Sequence, residues 1–460
     1  MSGGGDRASG RRLDGREAGV LARLALPIVM ARIGLTLMLV VDNMIVGHFG
    51  TAALASFALG LVLVQTMQTV GLGLLMGGMV EISAAFGRGD MAECGRIWRR
   101  SLLYAAVIGL AFVVVAHQAP AIFAALGQAP ELAASAGHIS ALIGWSLPPM
   151  LIYIASIGLL EATGYPYVGV VMLALANVLN LVLNLVLVDG AAAMGAEGAA
   201  LATLIARLVL AAGTVGYIVF LMRERASLGR PSWRDHAWSA GRHQRRIGYA
   251  EGMSMGIESG SFSALTLFAG QMGAVELAAY TVAININMML FMPAVGVGGA
   301  AAVRVAQARG RHDGPGMARS GTTGLAVFAA LMLTVALLFL AVPEAVTALY
   351  TADPALAVVA VPIVALIGFL ALIDGAQRVV ANILRGYGET WLPTTSHLFS
   401  YVAVMVPAAW MLGVHFGLGA RGLIAAIAFA SVVATALLLF RFRQLAARPQ
   451  FNEEVTWASF

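Results

Sequence analysis

The chain has 460 residues, of which 60% are hydrophobic and only 11% charged. A soluble domain carries roughly 25% charged residues, so this composition cannot cover a water-facing surface, and the class is polytopic membrane protein. The net charge of +5 does not indicate a nucleic-acid partner, because the arginines sit in short loops between apolar runs.

The chain opens with Arg7, Arg11, Arg12 and Arg16, followed by an apolar run from about Val20 to Val46. That run is far longer than the h-region of a signal peptide and reads as a retained first span. Apolar runs between polar breaks predict twelve helices, near 19–46, 52–83, 98–118, 134–160, 168–189, 195–222, 244–270, 276–306, 320–341, 355–384, 392–413 and 420–442. Runs of about 20–30 residues suit α-helices crossing roughly 30 Å of hydrocarbon. They do not suit the ~10-residue alternation of membrane strands. The single cysteine, Cys94, excludes an intramolecular disulfide and reads as an incidental thiol in a polar loop with Arg88, Asp90, Glu93 and Arg96. A long polar stretch from Arg223 to Arg246, with Pro231 and two tryptophans, separates six spans from six. The expected organisation is a tail over 1–18, an N-lobe over 19–222, a loop over 223–243, a C-lobe over 244–445 and a tail over 446–460.

All 28 basic residues are arginine. All but Arg32, Arg207, Arg378 and Arg421 fall at the termini or at the ends of even-numbered spans. The positive-inside rule then puts both termini and the loops at 87–100, 223–246 and 304–319 in the cytoplasm. An even number of crossings makes the two halves parallel.

The halves also repeat in sequence. Gly87-Arg88-Gly89-Asp90 returns as Gly310-Arg311-His312-Asp313, and Gly47-His48-Phe49-Gly50 as Gly270-Gln271-Met272-Gly273. Gly164-Tyr165 returns as Gly386-Tyr387, and Gly195-Ala196-Glu197-Gly198 as Gly419-Ala420-Arg421-Gly422. Ordered matches in so hydrophobic a chain point to a secondary transporter built from parallel repeats. Glycines such as Gly71, Gly73, Gly77 and Gly78 let helices approach closely in lipid. Pro148, Pro149, Pro293, Pro362 and Pro407 fall inside predicted helices and permit bends.

A carboxylate deep in a membrane helix costs on the order of 2.5–3.5 kcal/mol and marks a functional site by default. Three stand out: Asp42 in the first span, Glu258 near the centre of the seventh and Asp374 in the tenth. Such a group can exchange a proton near physiological pH, can hold a sodium ion with neighbouring oxygens, and attracts a cationic apolar substrate. Each also has a plainer reading. Asp374 and Arg378 stand i,i+4 and can form an internal ion pair. Asp42 lies about one turn from the outer boundary of its span. Glu81, Glu161 and Glu251 read as interfacial. Asn177, Asn180 and Asn184 form a stripe on the fifth span that suits an interhelical hydrogen-bond seam better than a ligand site. Asn285 and Asn287 point to different faces of the eighth span, and Met288, Met289 and Met292 read as adaptable packing. The histidines show no metal-ligand spacing. No Walker A, H-E-x-x-H or G-x-S-x-G pattern is present, so no enzyme activity and no cofactor is expected.

Several segments carry a resemblance that runs over about 20–445: Leu24-Ala25-Leu26-Pro27, Val41-Asp42-Asn43-Met44-Ile45-Val46-Gly47, Gly87 to Asp90, Gly270 to Ala279, Gln307 to Asp313 and Leu384-Arg385-Gly386-Tyr387. In this ordered set the chain resembles the multidrug and toxic compound extrusion (MATE) family, most closely its NorM-like bacterial branch. The resemblance implies an all-α membrane protein of twelve transmembrane helices in two six-helix bundles, facing a central cleft. It implies export of organic cations in exchange for sodium or protons, with Asp42, Glu258 and Asp374 in the coupling positions. Asn180, Asn184, Thr203 and Arg378 would support them, and Glu258 and Asp374 would be the sodium ligands. The family often has an aspartate where Asn184 stands, which leaves Asp42 as the single acid of the first-half site and moves the weight of coupling to Glu258 and Asp374.

The expected function is a cation-coupled antiporter for cationic amphiphiles in the bacterial inner membrane, monomeric, partnered by the bilayer and small molecules and not by nucleic acid. A flippase for lipid-linked or other large amphiphiles is the alternative, with Arg32, Arg207 and Arg378 its only basic groups within spans. A membrane enzyme or receptor is a remote third. The three acids do not repeat between the halves, which suggests a symmetric frame with asymmetric ion sites.

Overall fold

The computed structural model describes residues 15–188, 190, 193–225, 228, 238–348 and 354–447, and every element in them is helical. The tail arginines Arg7, Arg11 and Arg12, the stretch 448–460, and Pro231 with Trp233 lie outside the described residues. The first half contains α1 (Gly15–Phe49), α2 (Thr51–Gly87), α3 (Met91–His117), α4 (Ala119–Ala125), α5 (Pro130–Gly144), α6 (Leu147–Ala162), α7 (Pro166–Leu187) and α8 (Ala196–Arg225). After a 3-10 turn at Trp238–Gly241 follow α9 (Arg242–Gln271), α10 (Ala274–Gly310), α11 (Gly314–Ala341), α12 (Pro343–Ala348) and α13 (Pro354–Tyr387). The chain then passes through α14 (Leu392–His397), a π-helical stretch at Leu398–Met405, α15 (Val406–Ala409), a second π stretch at Trp410–His415, and α16 (Gly419–Ala446).

Ten described helices are long and apolar enough to cross a membrane, and eleven if α5 and α6 form one span. That pair is bent by 41° where Pro148 and Pro149 open α6, since a proline ring cannot continue the preceding ladder of hydrogen bonds. The remaining predicted span, the seventh, is the 30-residue α9. Arg242, Arg245, Arg246, Glu251, Glu258 and a run of serines and glycines make it the most polar of the long helices. The expected twelve-helix architecture is therefore present, with α9 recognisable by length and not by apolarity. Pro27, Pro293 and Pro362 sit inside continuous helices, whereas Pro407 falls in the short α15 between the two π stretches.

The repeated motifs have a local cause. In Gly-Arg-Gly-Asp, Gly89 takes a left-handed φ of 78° and Asp90 caps α3 by accepting from Glu93 N at 2.8 Å. In the second copy His312 takes φ 55° and Asp313 caps α11 by accepting from Gly316 N at 2.8 Å. The capping carboxylate satisfies an otherwise orphaned helix amide. The Gly-Tyr pair behaves differently. Gly164 has φ 90°, but Gly386 is helical and the left-handed glycine at the matching turn is Gly388, φ 96°. The conformational counterpart of Gly164 is thus two residues further on than the sequence match. Cys94, read as a loop thiol, is fully buried in the first turn of α3, its Sγ 3.5 Å from the Ile82 carbonyl.

The described residues form two compact units, one of Met30–Gly252 and one of the residues up to Val29 together with those from Met253 onward. Both divisions fall inside helices, α1 and α9, whereas the boundaries expected from the duplication lie at 222 and 244. The start of α1 puts Leu21, Ala25 and Ile28 into a core with Ala294, Val297, Ala301 and Val380. The start of α9 lies on α2: a Cβ on Gly73 would sit 2.8 Å from Gly252 Cα. The matching contact in the other unit is Gly296 against Val29, its nearest backbone atom 3.1 Å from that position. Gly73 to Gly296 and Val29 to Gly252 are both steps of 223 (296 − 73 and 252 − 29), so the duplication preserves the contact.

Candidate ion-coupling sites

In the unit of Met30–Gly252, Asp42 projects from α1 and is only 2% exposed. Asn184 on α7 donates to Oδ1 and Thr203 on α8 donates to Oδ2, each at 2.6 Å. Asn180, one turn before Asn184, reaches the Thr203 hydroxyl at 3.5 Å. Asn177 instead donates to the Gly34 carbonyl at 3.0 Å and ties α7 to α1. The asparagine stripe therefore divides, one member serving as a seam and two closing around an acid. The side-chain oxygens of Asn180 and Asn184 are buried with no hydrogen-bond partner. Buried polar atoms in native proteins are nearly always paired, so these two oxygens stand out in a site otherwise closed by hydrogen bonds to the acid. Arg207, one turn beyond Thr203, donates to Ser146 Oγ at 2.9 Å.

The second centre lies in the other unit. Asp374 on α13 is 2% exposed. Its Oδ1 accepts from Gln377 Nε2 at 2.7 Å and Ser431 Oγ at 2.9 Å, and its Oδ2 from Asn287 Nδ2 at 3.4 Å. Three neutral donors from α13, α16 and α10 thus surround one charge. The side-chain oxygens of Asn287 and Gln377 are buried without hydrogen-bond partners, repeating the arrangement around Asp42. Gln377 Nε2 also donates to the Tyr401 hydroxyl at 2.6 Å. One turn before Tyr401, His397 Nδ1 is hydrogen-bonded to Ser254 Oγ on α9.

Arg378 has an ion-pair partner on another helix. Its guanidinium forms an ion pair with Glu258 on α9 and lies over the Phe291 ring, 5.5 Å from the centroid. The i,i+4 spacing to Asp374 is available, but the long arginine side chain reaches across to α9. Glu258 and Asp374 are thereby joined through neighbours on α13, with Arg378 serving one and Gln377 the other. Glu251 and Glu161, read as interfacial, are buried in the unit of Met30–Gly252.

Ser431 and Tyr401 carried no sequence signal, since serine and tyrosine are ordinary in membrane helices. Asn287 and Gln377 had a weak signal as amides within apolar runs. The three acids were visible because charge in such a run is rare.

A multi-span helical bundle with buried, hydrogen-bonded acids in each unit defines a class, the polytopic membrane transporters. The MatE family model matches the chain twice, at residues 27–186 and 252–411, and the chain belongs to the MatE family. It is 37% identical over 432 residues to the probable multidrug resistance protein NorM of Caulobacter vibrioides, covering 92% of this chain and 91% of that one. It is 31% identical to the protein of the same name from Bradyrhizobium diazoefficiens, with 93% of each chain covered. The eukaryotic MATE transporter AtDTX14 has the same fold, with a TM-score of 0.86 at 19% identity over 94% of this chain and 97% of that one.

Proposed function

We propose that the protein is a multidrug efflux antiporter that exports cationic amphiphilic compounds in exchange for sodium or protons. The observation that carries this reading is the build of the two centres: a buried carboxylate held by neutral amide and hydroxyl donors. Such a group binds a proton or a small cation without a permanent counter-ion. Exchange then follows from competition, because an exported cation and an inward-moving ion seek the same negative charge. Glu258 adds a switch. Its carboxylate is held by Arg378, so a cation reaching Glu258 has to displace the guanidinium. The NorM names of the relatives support the substrate class. Two of the three basic groups within spans are engaged, Arg207 with Ser146 and Arg378 with Glu258, which weighs against a lipid flippase that needs basic groups to meet phosphate. Both termini are assigned to the cytoplasmic side of the inner membrane by the arginine distribution.

The test is efflux of a fluorescent organic cation from proteoliposomes, first under an imposed sodium gradient and then under an imposed pH gradient. One gradient drives efflux in the wild type, and Asp374→Asn and Glu258→Gln each abolish it. Wild-type rates in both variants would overturn the assignment.

A further inference from the structure

Both centres contain a side-chain amide that gives its two hydrogens to two acceptors, but the amides differ in their freedom to turn. Asn184 Nδ2 donates to Asp42 Oδ1 and, at 3.0 Å, to the Asn180 backbone carbonyl. A backbone carbonyl can only accept. Turning the amide would set its oxygen against that carbonyl, so Asn184 is pinned. Gln377 Nε2 donates to Asp374 Oδ1 at 2.7 Å and to the Tyr401 hydroxyl at 2.6 Å. Each of these partners can reverse. A protonated carboxyl donates, and a phenol donates or accepts by rotating its O–H. The other end of the amide, Gln377 Oε1, is buried and has no hydrogen-bond partner, so no hydrogen bond holds it in place.

We propose that Gln377 is a positioning residue that turns end for end when Asp374 takes up a cation and thereby reverses the Tyr401 hydroxyl. With Asp374 ionised and empty, the NH2 end faces both neighbours and the tyrosine oxygen accepts. When a proton or sodium ion arrives, the carbonyl end is the one that complements it. Oε1 then accepts from the Asp374 carboxyl O–H, or joins the sodium ligands, and accepts from Tyr401. The arriving proton ends on the Asp374 carboxyl, and otherwise only hydrogen bonds change direction. The charged and titratable groups around the switch are Arg378 on α13, Glu258 on α9, and His397 and Tyr401 after α13. α10 and α16 present the uncharged Asn287 and Ser431, and α11 brings the Phe328 ring against Gly375.

The receiving element is fit for the role. Tyr401 lies inside the π-helical stretch Leu398–Met405 and is fully buried. π-helical turns are rare and recur at functional sites. Its ring lies 5.7 Å from that of His397, whose partner Ser254 stands one turn before Glu258 on α9. The state of Asp374 is therefore read by a π-helical stretch whose Tyr401 ring also lies 6.1 Å from that of Phe262 on α9, the helix bearing the second acid.

The inference rests on Asp374 as the cation-binding group, and infrared difference spectra of the full-length protein in lipid separate the two ideas. Spectra are taken as low pH minus high pH and as sodium-loaded minus sodium-free. The wild type shows a change at Asp374, identified by its loss in Asp374→Asn, together with a carboxamide carbonyl change and a tyrosine C–O change. In Gln377→Leu the Asp374 change persists and both of the others are lost. In Tyr401→Phe, which keeps the ring, only the tyrosine change is lost. A tyrosine change of wild-type size in Gln377→Leu overturns the inference while leaving Asp374 its role. So does an Asp374 change with no carboxamide change in the wild type. Absence of any Asp374-dependent change in either difference spectrum overturns both.

Discussion

A buried acid, Asp374, and a half-buried one, Glu258, coexist in one unit, and they differ in what neutralises them. Asp374 is held by uncharged donors, so a mobile cation can take the place of a missing counter-ion; Glu258 already has one in Arg378. Removing one member of a buried pair strands the other, at a cost of about 3 kcal/mol or more. Glu258→Gln and Arg378→Met should therefore each lower the thermal unfolding midpoint in detergent, and the double variant should recover most of the loss. A double variant no more stable than the worse single would show that the pair is not coupled. The acids themselves were legible in the sequence, because a charge in an apolar run is conspicuous. Their partners were not. Nothing local links Asp374 to Ser431, 57 residues away, and the spacing at Arg378 gave no sign of its ion pair with Glu258, 120 residues away. An i,i+4 spacing states only that two side chains can meet, and Arg378 is long enough to choose a partner on another helix.

At the scale of elements, the duplicated motifs turn out to be helix stops and starts. Asp90 and Asp313 do the same capping work in the two halves. Replacing Asp90 by alanine should cost about 1 kcal/mol, as loss of a helix cap does, read as a lower unfolding midpoint. The residue before each cap is left-handed, glycine in one half and His312 in the other. A side chain in that conformation costs about 1 kcal/mol, so His312→Gly should raise the midpoint, and an unchanged or lower value would show that the imidazole makes a compensating contact. The sequence revealed these elements well because capping chemistry is local. It failed at Gly386, where the Gly-Tyr match hid the fact that Gly388 makes the turn. The halves also diverge in continuity. The fourth span is broken between α5 and α6, while its counterpart α13 runs unbroken for 34 residues. α7 is regular, whereas its counterpart alternates α and π turns from Leu392 to His415. Regularity was lost in different places, and one of those places is where Tyr401 sits.

For the whole molecule, the two compact units are not the two halves of the gene product, since each borrows the opening of a helix from the other half. The reciprocal contacts of Gly73 with Gly252 and of Gly296 with Val29 leave no room for a Cβ. Gly73→Leu or Gly296→Leu should prevent recovery of monodisperse protein, whereas Gly216→Leu, at a position with open space around it, should not. That exchange sets an order on biosynthesis. The unit of Met30–Gly252 stays open along α2 until the ribosome has passed the end of the first half and delivered the start of α9. The residues up to Val29 wait through the synthesis of more than two hundred others before the helices they pack against exist. A chain released at Arg225 would hold every span of its half and still lack the segment that closes it, so partial products are exposed to quality control until both halves are made.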